Sequence, residues 1–205
     1  MSGGDSRHRR VAQSGVRLNI VPTHPEWLDA VMADFDAFLR DHASCEKKAS
    51  GMALSIASHY PDKPVLLNAM ADLAVEELGH YREVVRLLTA RGIAPGPDTR
   101  DAYVRTLNDL IRRGPEKFLL DRLLVAAVVE RRGHERFGLV AEALPAGDEK
   151  RFFEAITKSE GRHWQLFIDL ARSHCDPDAV DARLAELVEA EGAIVSRLPF
   201  RAGLH

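Results

Sequence analysis

Glu77-Leu78-Gly79-His80 and Glu160-Gly161-Arg162-His163 are two copies of the pattern Glu-x-x-His, and they decide which fold this sequence predicts. Residues three apart on a helix share a face, so each copy directs a carboxylate and an imidazole towards one point. A further glutamate precedes each copy at nearly the same distance, Glu46 by 31 residues and Glu130 by 30. This order of ligand types is typical of four-helix bundles that hold two metal ions between carboxylates.

The rest of the chain is also predicted to be helical. The predicted helices cover residues 26–60 (with a break near 40–41), 64–91, 98–113, 115–144, 148–174 and 176–197, and prolines or glycines separate most of them. Two antiparallel helix pairs, joined by a crossover and followed by an added helix, predict an all-α, ferritin-like four-helix bundle. Residues 1–20 are polar and basic and are predicted to form a flexible tail, which leaves 21–205 as a single domain.

The proposed ligands fall on the apolar stripes of four predicted helices. In the fourth bundle helix, for example, Glu160 and His163 lie between Phe153, Ile156 and Phe167 at alternating spacings of three and four. A single glutamate in such a position is usually solvated, but several buried carboxylates are costly unless a cation neutralises them. The pattern therefore predicts two metal ions held by six residues: Glu46, Glu77, His80, Glu130, Glu160 and His163.

Three neighbouring residues are ambiguous. Glu135 breaks the repeat spacing and falls off the apolar stripe, so Glu130 is the preferred ligand. His134 lies one turn from Glu130 and is predicted to face the site, either beside a ligand or in the pocket wall. Glu76 is predicted to point outward or to hydrogen-bond a ligand.

This donor set narrows the chemistry without fixing the function. Carboxylates with two imidazoles suit iron or manganese better than zinc or copper. A pair of ferrous ions can reduce O2 and attack an unactivated C–H bond, whereas the same scaffold also serves peroxide reduction and iron storage. A non-enzymatic helical protein with structural Glu and His residues is the remaining alternative.

Composition excludes several classes. The net charge of −3 gives no global basic surface for nucleic acid, so such a contact requires a local patch. Two cysteines, Cys45 and Cys175, indicate neither a disulfide framework nor a cysteine-rich metal site. No apolar run is long enough to span a membrane and no signal peptide is recognisable, which predicts a cytoplasmic protein.

Several blocks of the sequence resemble the bacterial tRNA 2-methylthio-isopentenyl-adenosine hydroxylases. The most specific are Phe38–Ala49, which contains Glu46, and Glu135-Arg136-Phe137. The other blocks are Glu76–Tyr81, Arg91–Ile93, Asp121–Leu124, Val129–Arg132 and Ser159–His163, and the whole set covers roughly residues 25–175 in the family's order. One departure is Gly133-His134, where the family pattern has Ser-Cys.

The resemblance implies a di-iron monooxygenase that adds one oxygen atom to the isopentenyl group of a modified adenosine next to the tRNA anticodon. It implies two Fe ions on the six residues named above, O2 as co-substrate and a separate electron-transfer protein as donor. The oligomeric state stays open.

Binding of tRNA requires basic residues near the site. The candidates are Arg7, His8, Arg9, Arg10 and Arg17 in the tail, Lys47-Lys48, Arg112-Arg113 with Lys117, and Arg131-Arg132 with Arg136. Two basic pairs directly follow proposed ligands in the sequence and are predicted to flank the mouth of the site. They are Lys47-Lys48 after Glu46 and Arg131-Arg132 after Glu130. The alternative reading of the chain is a ferritin-like di-iron peroxidase or iron-handling protein, which needs no such patch.

Overall fold

The computed structural model describes residues 18–205, apart from the side chain of Glu116, and this part of the chain contains helices but no strand. The helices are α1 (Pro25–Ala33), α2 (Phe35–His59), α3 (Pro64–Ala90), α4 (Ala102–Asn108), α5 (Pro115–Ala143), α6 (Asp148–His174) and α7 (Pro177–Val195). The predicted all-α, ferritin-like class is confirmed. The predicted tail lies mostly outside the described residues, although Leu18, within its proposed bounds, is buried.

Two helix boundaries differ from the sequence prediction. The first long helix breaks at Asp34, rather than near residues 40–41, because the Asp34 side chain accepts a hydrogen bond from the Ala37 N–H (3.0 Å) and caps α2. The crossover helix is shorter than predicted, because Asp101 caps its start by accepting from the Val104 N–H (3.1 Å). Residues 93–101 are therefore a non-helical segment that crosses the bundle before α4.

The bundle consists of the pair α2–α3 and the pair α5–α6, with α7 packed on α5. Its core has two apolar clusters at different heights. The cluster with Leu39, Val84, Phe137 and Phe153 lies at one end. The other contains Ala53, Leu73, Ala127 and Phe167. In each of the four helices the proposed ligands lie between these two levels, so the polar centre interrupts the core halfway along the bundle.

Within residues 18–205, no helix is both long enough and apolar enough to cross a membrane.

Candidate metal centre

The structure brings the six predicted ligand residues together in two overlapping groups. Donor atoms of Glu46, Glu77, His80 and Glu160 lie within 4.8 Å of one another, and so do donor atoms of Glu77, Glu130, Glu160 and His163. Glu77 and Glu160 belong to both groups. Two such groups, which share two carboxylates and each add one Glu and one His, are compatible with two adjacent metal positions.

Both imidazoles present Nδ1 to the carboxylates. His80 Nδ1 lies 3.5 Å from Glu46 Oε2 and 3.3 Å from Glu77 Oε2. His163 Nδ1 lies 2.8 Å from Glu77 Oε1 and 3.5 Å from Glu160 Oε2. The Glu and His of each Glu-x-x-His motif therefore lie on the same face of their helix, as their spacing of three residues predicts.

A cation fits between these side chains. Glu77 Oε1, Glu160 Oε1 and His163 Nδ1 are buried and make no well-aligned hydrogen bond within the described chain, although His163 Nδ1 and Glu77 Oε1 lie 2.8 Å apart. A buried polar atom left unpaired costs about 1–3 kcal/mol, and more when it is charged. Ligation of a metal ion would satisfy all three atoms, and a donor set of carboxylates with imidazole suits iron.

The close packing of these ionisable groups shifts their pKa values. Burial lowers the pKa of His80, but hydrogen bonds to Glu46 and Glu77 outweigh it and raise the pKa to about 9. The pKa of His163 is also about 9, because Glu77 outweighs the effect of burial in the same way. Burial raises the pKa values of Glu130 and Glu160 well above the usual carboxyl range.

Glu76 holds the outer nitrogen of His163. Its Oε2 lies 3.3 Å from His163 Nε2, while its Oε1 accepts hydrogen bonds from the Ser159 hydroxyl and from Arg162 (2.8 Å). Burial opposes the ionisation of Glu76, but these contacts lower its pKa to about 2. Of its two predicted positions, Glu76 thus occupies the one that contacts a ligand, and such a carboxylate fixes the orientation of a metal-binding imidazole.

His42 makes a short contact with a proposed ligand, with its Nε2 2.6 Å from Glu46 Oε1. The sequence analysis placed His42 on the inward stripe but gave it no role. The signal was present, because His42 precedes Glu46 by one helical turn. Burial opposes ionisation of Glu46, but His42 and His80 hold its pKa well below the usual range.

A cavity of about 980 Å³ opens onto the centre between α2 and α5. Four proposed ligands line it: Glu46, Glu77, Glu130 and Glu160. Its other inner lining is largely apolar and includes Ala49, Met52, Val125, Val129 and Phe137. The cavity therefore offers an apolar substrate group a path to the metal positions.

The C-terminal segment, residues 199–205, closes one wall of this cavity. Leu204 and His205 line it, and the segment is held by hydrogen bonds from Trp27 Nε1 to the Gly203 carbonyl (2.9 Å) and from the Leu204 N–H to Asp41 (2.7 Å). His205 Nδ1 also lies 2.9 Å from Asp101 Oδ2. The sequence analysis missed this wall, since no periodic pattern marks a short non-helical segment.

Comparison with known proteins identifies the family. The family model described as "MiaE: tRNA-(MS[2]IO[6]A)-hydroxylase (MiaE)" matches residues 13–205. The chain belongs to the MiaE family. A relative from Pseudomonas putida, named tRNA 2-(methylsulfanyl)-N(6)-isopentenyladenosine(37) hydroxylase, is 40% identical over 82% of this chain and 82% of its own. A protein of the same name from Salmonella typhimurium is 30% identical over 63% of this chain and 47% of its own.

The MiaE-family chain also resembles a solved structure. This is "Protein 43 with aldehyde deformylating oxygenase activity from Synechococcus", which superimposes with a TM-score of 0.88 and 33% sequence identity. The match covers 93% of this chain and 96% of the other. The family resemblance inferred from the sequence blocks is thus confirmed.

The mouth of the cavity in this MiaE-family chain carries basic and polar side chains. They are Lys48, His59, Arg100, Arg105, Asn108 and Arg122. Arg100 and Arg105 are exposed and form no ion pair with any described residue, whereas Lys48 donates to the Thr99 carbonyl (2.7 Å). The rim is therefore positively charged, although the chain as a whole is not.

The prediction that Arg131 and Arg132 flank the mouth is wrong. Arg132 is fully buried and donates to both carboxylate oxygens of Glu191 (2.7 and 2.9 Å), while Arg131 donates to the Leu18 carbonyl. These side chains leave α5 on the side that packs against α7. Arg136 is buried too, and the tail candidates Arg7, His8, Arg9, Arg10 and Arg17 lie outside the described residues.

His134 does not line the cavity, contrary to its predicted place. Its Nδ1 lies 2.8 Å from the Thr157 carbonyl, where α5 packs on α6. Glu135 accepts hydrogen bonds from Thr23 and Arg132 and belongs to neither donor group among the described residues, which agrees with the preference for Glu130.

Proposed function

We propose that this protein hydroxylates the isopentenyl group of 2-methylthio-N6-isopentenyladenosine next to the anticodon of tRNA. The observation that carries the proposal is the family match over residues 13–205, together with an apolar cavity that ends at the carboxylate–imidazole centre. The overall reaction takes R–H, O2, two electrons and two protons to R–OH and water. The electrons require a separate donor protein, and the tRNA substrate places the reaction in the cytoplasm.

We assign the two iron ions to Glu46, Glu77, His80, Glu130, Glu160 and His163. Glu77 and Glu160 occupy the shared positions, and one Glu and one His complete each side. The bound irons supply the reduction of O2 and the attack on the C–H bond. The protein supplies fixed ligands and a cavity in which apolar walls exclude water from the reacting carbon.

The shape and polarity of the cavity suit a prenylated base. A base inside a folded anticodon loop must leave its stack to reach a buried centre. The prenyl chain matches the apolar walls at Met52, Val125 and Val129, and the more polar purine matches the outer part of the cavity.

The basic rim suits the phosphates that flank such a base. Arg100 and Arg105 have no carboxylate partner among the described residues, so they are available to contact phosphate. Lys48 and Arg122 lie on the facing helices α2 and α5. Contacts of this kind give salt-dependent affinity without sequence recognition.

Nucleoside mass spectrometry tests the proposal. Iron-loaded protein, a chemical reductant and O2 are incubated with tRNA that carries the prenylated adenosine. A gain of one oxygen on that nucleoside is expected with the wild type and not with Glu77→Ala. No gain with the wild type, despite two bound irons, would contradict the proposed substrate.

The solved relative supplies a second candidate reaction. Because its name records aldehyde deformylating oxygenase activity, the same assay is run with a long-chain aldehyde. Conversion of the aldehyde with unchanged tRNA would replace the proposal with that activity. Peroxide consumption with neither substrate altered would favour the peroxidase alternative.

A further inference from the structure

His42 lies in an aromatic cage next to the proposed metal centre. Its side chain is fully buried, and its ring centroid lies 4.5 Å from that of Phe137 and 5.6 Å from that of Phe153. Phe38 and Phe152 complete the surroundings at 6.1 and 5.9 Å. Within the described chain Nδ1 has no hydrogen-bond partner, so the only polar contact of this imidazole is the one through Nε2 to Glu46.

The contact with His42 gives the two carboxylate oxygens of Glu46 different partners. Oε1 is taken by His42 at 2.6 Å, whereas Oε2 faces the centre, 3.5 Å from His80 Nδ1. A carboxylate oxygen only accepts, so His42 donates from Nε2. The rigid cage then fixes the direction of the carboxylate, because the ring has no room to follow a moving partner.

The matching glutamate on the other side has no such support. The residue one turn before Glu130 is Ala126, which has no donor. The Glu130 carboxyl shares a hydrogen bond with the carboxyl of Glu160, itself a proposed ligand, and no imidazole, arginine or lysine among residues 18–205 donates to it. Both Glu46 and Glu130 border the cavity, but of these two only Glu46 accepts a hydrogen bond from a histidine one helical turn before it.

We infer that His42 is a positioning residue that makes the two metal positions unequal. It holds Glu46 so that one oxygen is offered to the metal at the Glu46–His80 position, whereas at the other position no described residue outside the proposed ligand set holds Glu130. The inference rests on the proposed metal ligation and deepens it, since it states which ligand of the Glu46–His80 position is held in place by a further residue. Loss of a residue that orients a ligand costs roughly 10–100-fold in metal affinity.

Titration of the metal-free protein with Co²⁺, followed by visible absorption, tests this inference without any turnover. The wild type is expected to bind two ions with separate affinities. In His42→Phe, whose ring fits the cage but donates nothing, one of the two affinities is expected to fall roughly 10–100-fold while the other stays. His42→Gln keeps a donor at the Nε2 position and is expected to restore most of the loss.

A double-mutant cycle separates positioning from a general structural effect. If His42 acts through Glu46, then His42→Phe adds no further loss in a Glu46→Gln background. Thermal unfolding of the metal-free variants shows whether the cage itself is intact, and His42→Phe is expected not to lower the melting temperature. His134→Gln removes an imidazole from the opposite helix pair without touching a proposed ligand, and serves as the matched control.

Equal affinities in the wild type and His42→Phe would overturn the inference, and so would an equal loss at both positions. Additive losses in the cycle would do the same. A wild type that binds no metal would instead overturn the proposed ligation and with it the function, so the two failures are distinguishable.

Discussion

The α2–α3 pair and the α5–α6 pair place their ligands in the same register but support them in opposite ways. In the first pair the glutamate is held, because His42 donates to Glu46, while His80 is 16% exposed and its outer nitrogen has no hydrogen-bond partner among residues 18–205. In the second pair the imidazole is held, because Glu76 lies behind His163, which is 3% exposed. Glu130 has neither kind of support.

The difference shows that a repeated ligand pattern does not give its two copies the same surroundings. The repeat fixes which atoms reach the centre, whereas the residues behind them decide how firmly each atom is held. The support also crosses between pairs, since Glu76 belongs to α3 and holds an imidazole of α6. Each of the following predictions tests one part of this comparison.

The largest effect is expected where the two pairs share a ligand. Glu77→Ala removes a carboxylate common to both groups, so we expect loss of both irons and no detectable hydroxylation, with the helical content retained. Glu46→Ala removes a ligand of one group only and is expected to leave one iron bound. Iron analysis and circular dichroism check both, with Glu83→Ala, which removes a partly exposed carboxylate of α3 outside both donor groups, as control. Two irons in Glu77→Ala would refute its shared position.

The two pairs should agree in their response to pH. His80 and His163 both have pKa values of about 9 without metal, so near pH 7 both are protonated. Metal binding must displace these protons, and the affinity therefore rises with pH and falls as pH decreases. Each displaced proton changes the affinity by up to about tenfold per pH unit below pH 9. Calorimetry in buffers of different ionisation enthalpy counts the protons; release of none would contradict the prediction.

The contact between Glu76 of α3 and His163 of α6 predicts a smaller loss of metal affinity, confined to one of the two positions. Glu76→Ala leaves all six proposed ligands in place but frees the outer nitrogen of His163, and we expect a loss of roughly 10–100-fold in affinity at one position. Competition with a chelator measures it. An equal loss at both positions would show that Glu76 supports the bundle rather than one imidazole.

The smallest effect is expected at the rim, which lies on the α2–α5 side only. Arg105→Ala is expected to weaken tRNA binding severalfold and to lower the salt dependence by about one phosphate contact. Binding measured across a salt series checks this, with Arg86→Ala on α3 as the charge-matched control. A larger loss in the control would place the tRNA on the other side of the bundle.

The sequence predicted the parts of this molecule that follow helical periodicity. The stripe through Phe153, Glu160 and His163 is buried as predicted, because spacings of three and four determine the inward face. The residues that contact the proposed ligands or pack beside them were harder to predict. Glu76 acts on a residue 87 positions away, which no local pattern reveals, and Arg132 was misplaced because its buried partner, Glu191, comes from a separate helix.

The cavity wall was the least predictable part. Leu204 and Asp41 meet across 163 residues, and Trp27 reaches Gly203 across 176. Such contacts depend on the completed tertiary structure rather than on local propensity.

The wall formed by residues 199–205 separates the enclosure of the centre from its ligation. Trp27 and Asp41, which hold this segment by hydrogen bonds to Gly203 and Leu204, are not proposed ligands. Loss of either hydrogen bond would therefore admit water to the cavity from this side while all six proposed ligands stay in place.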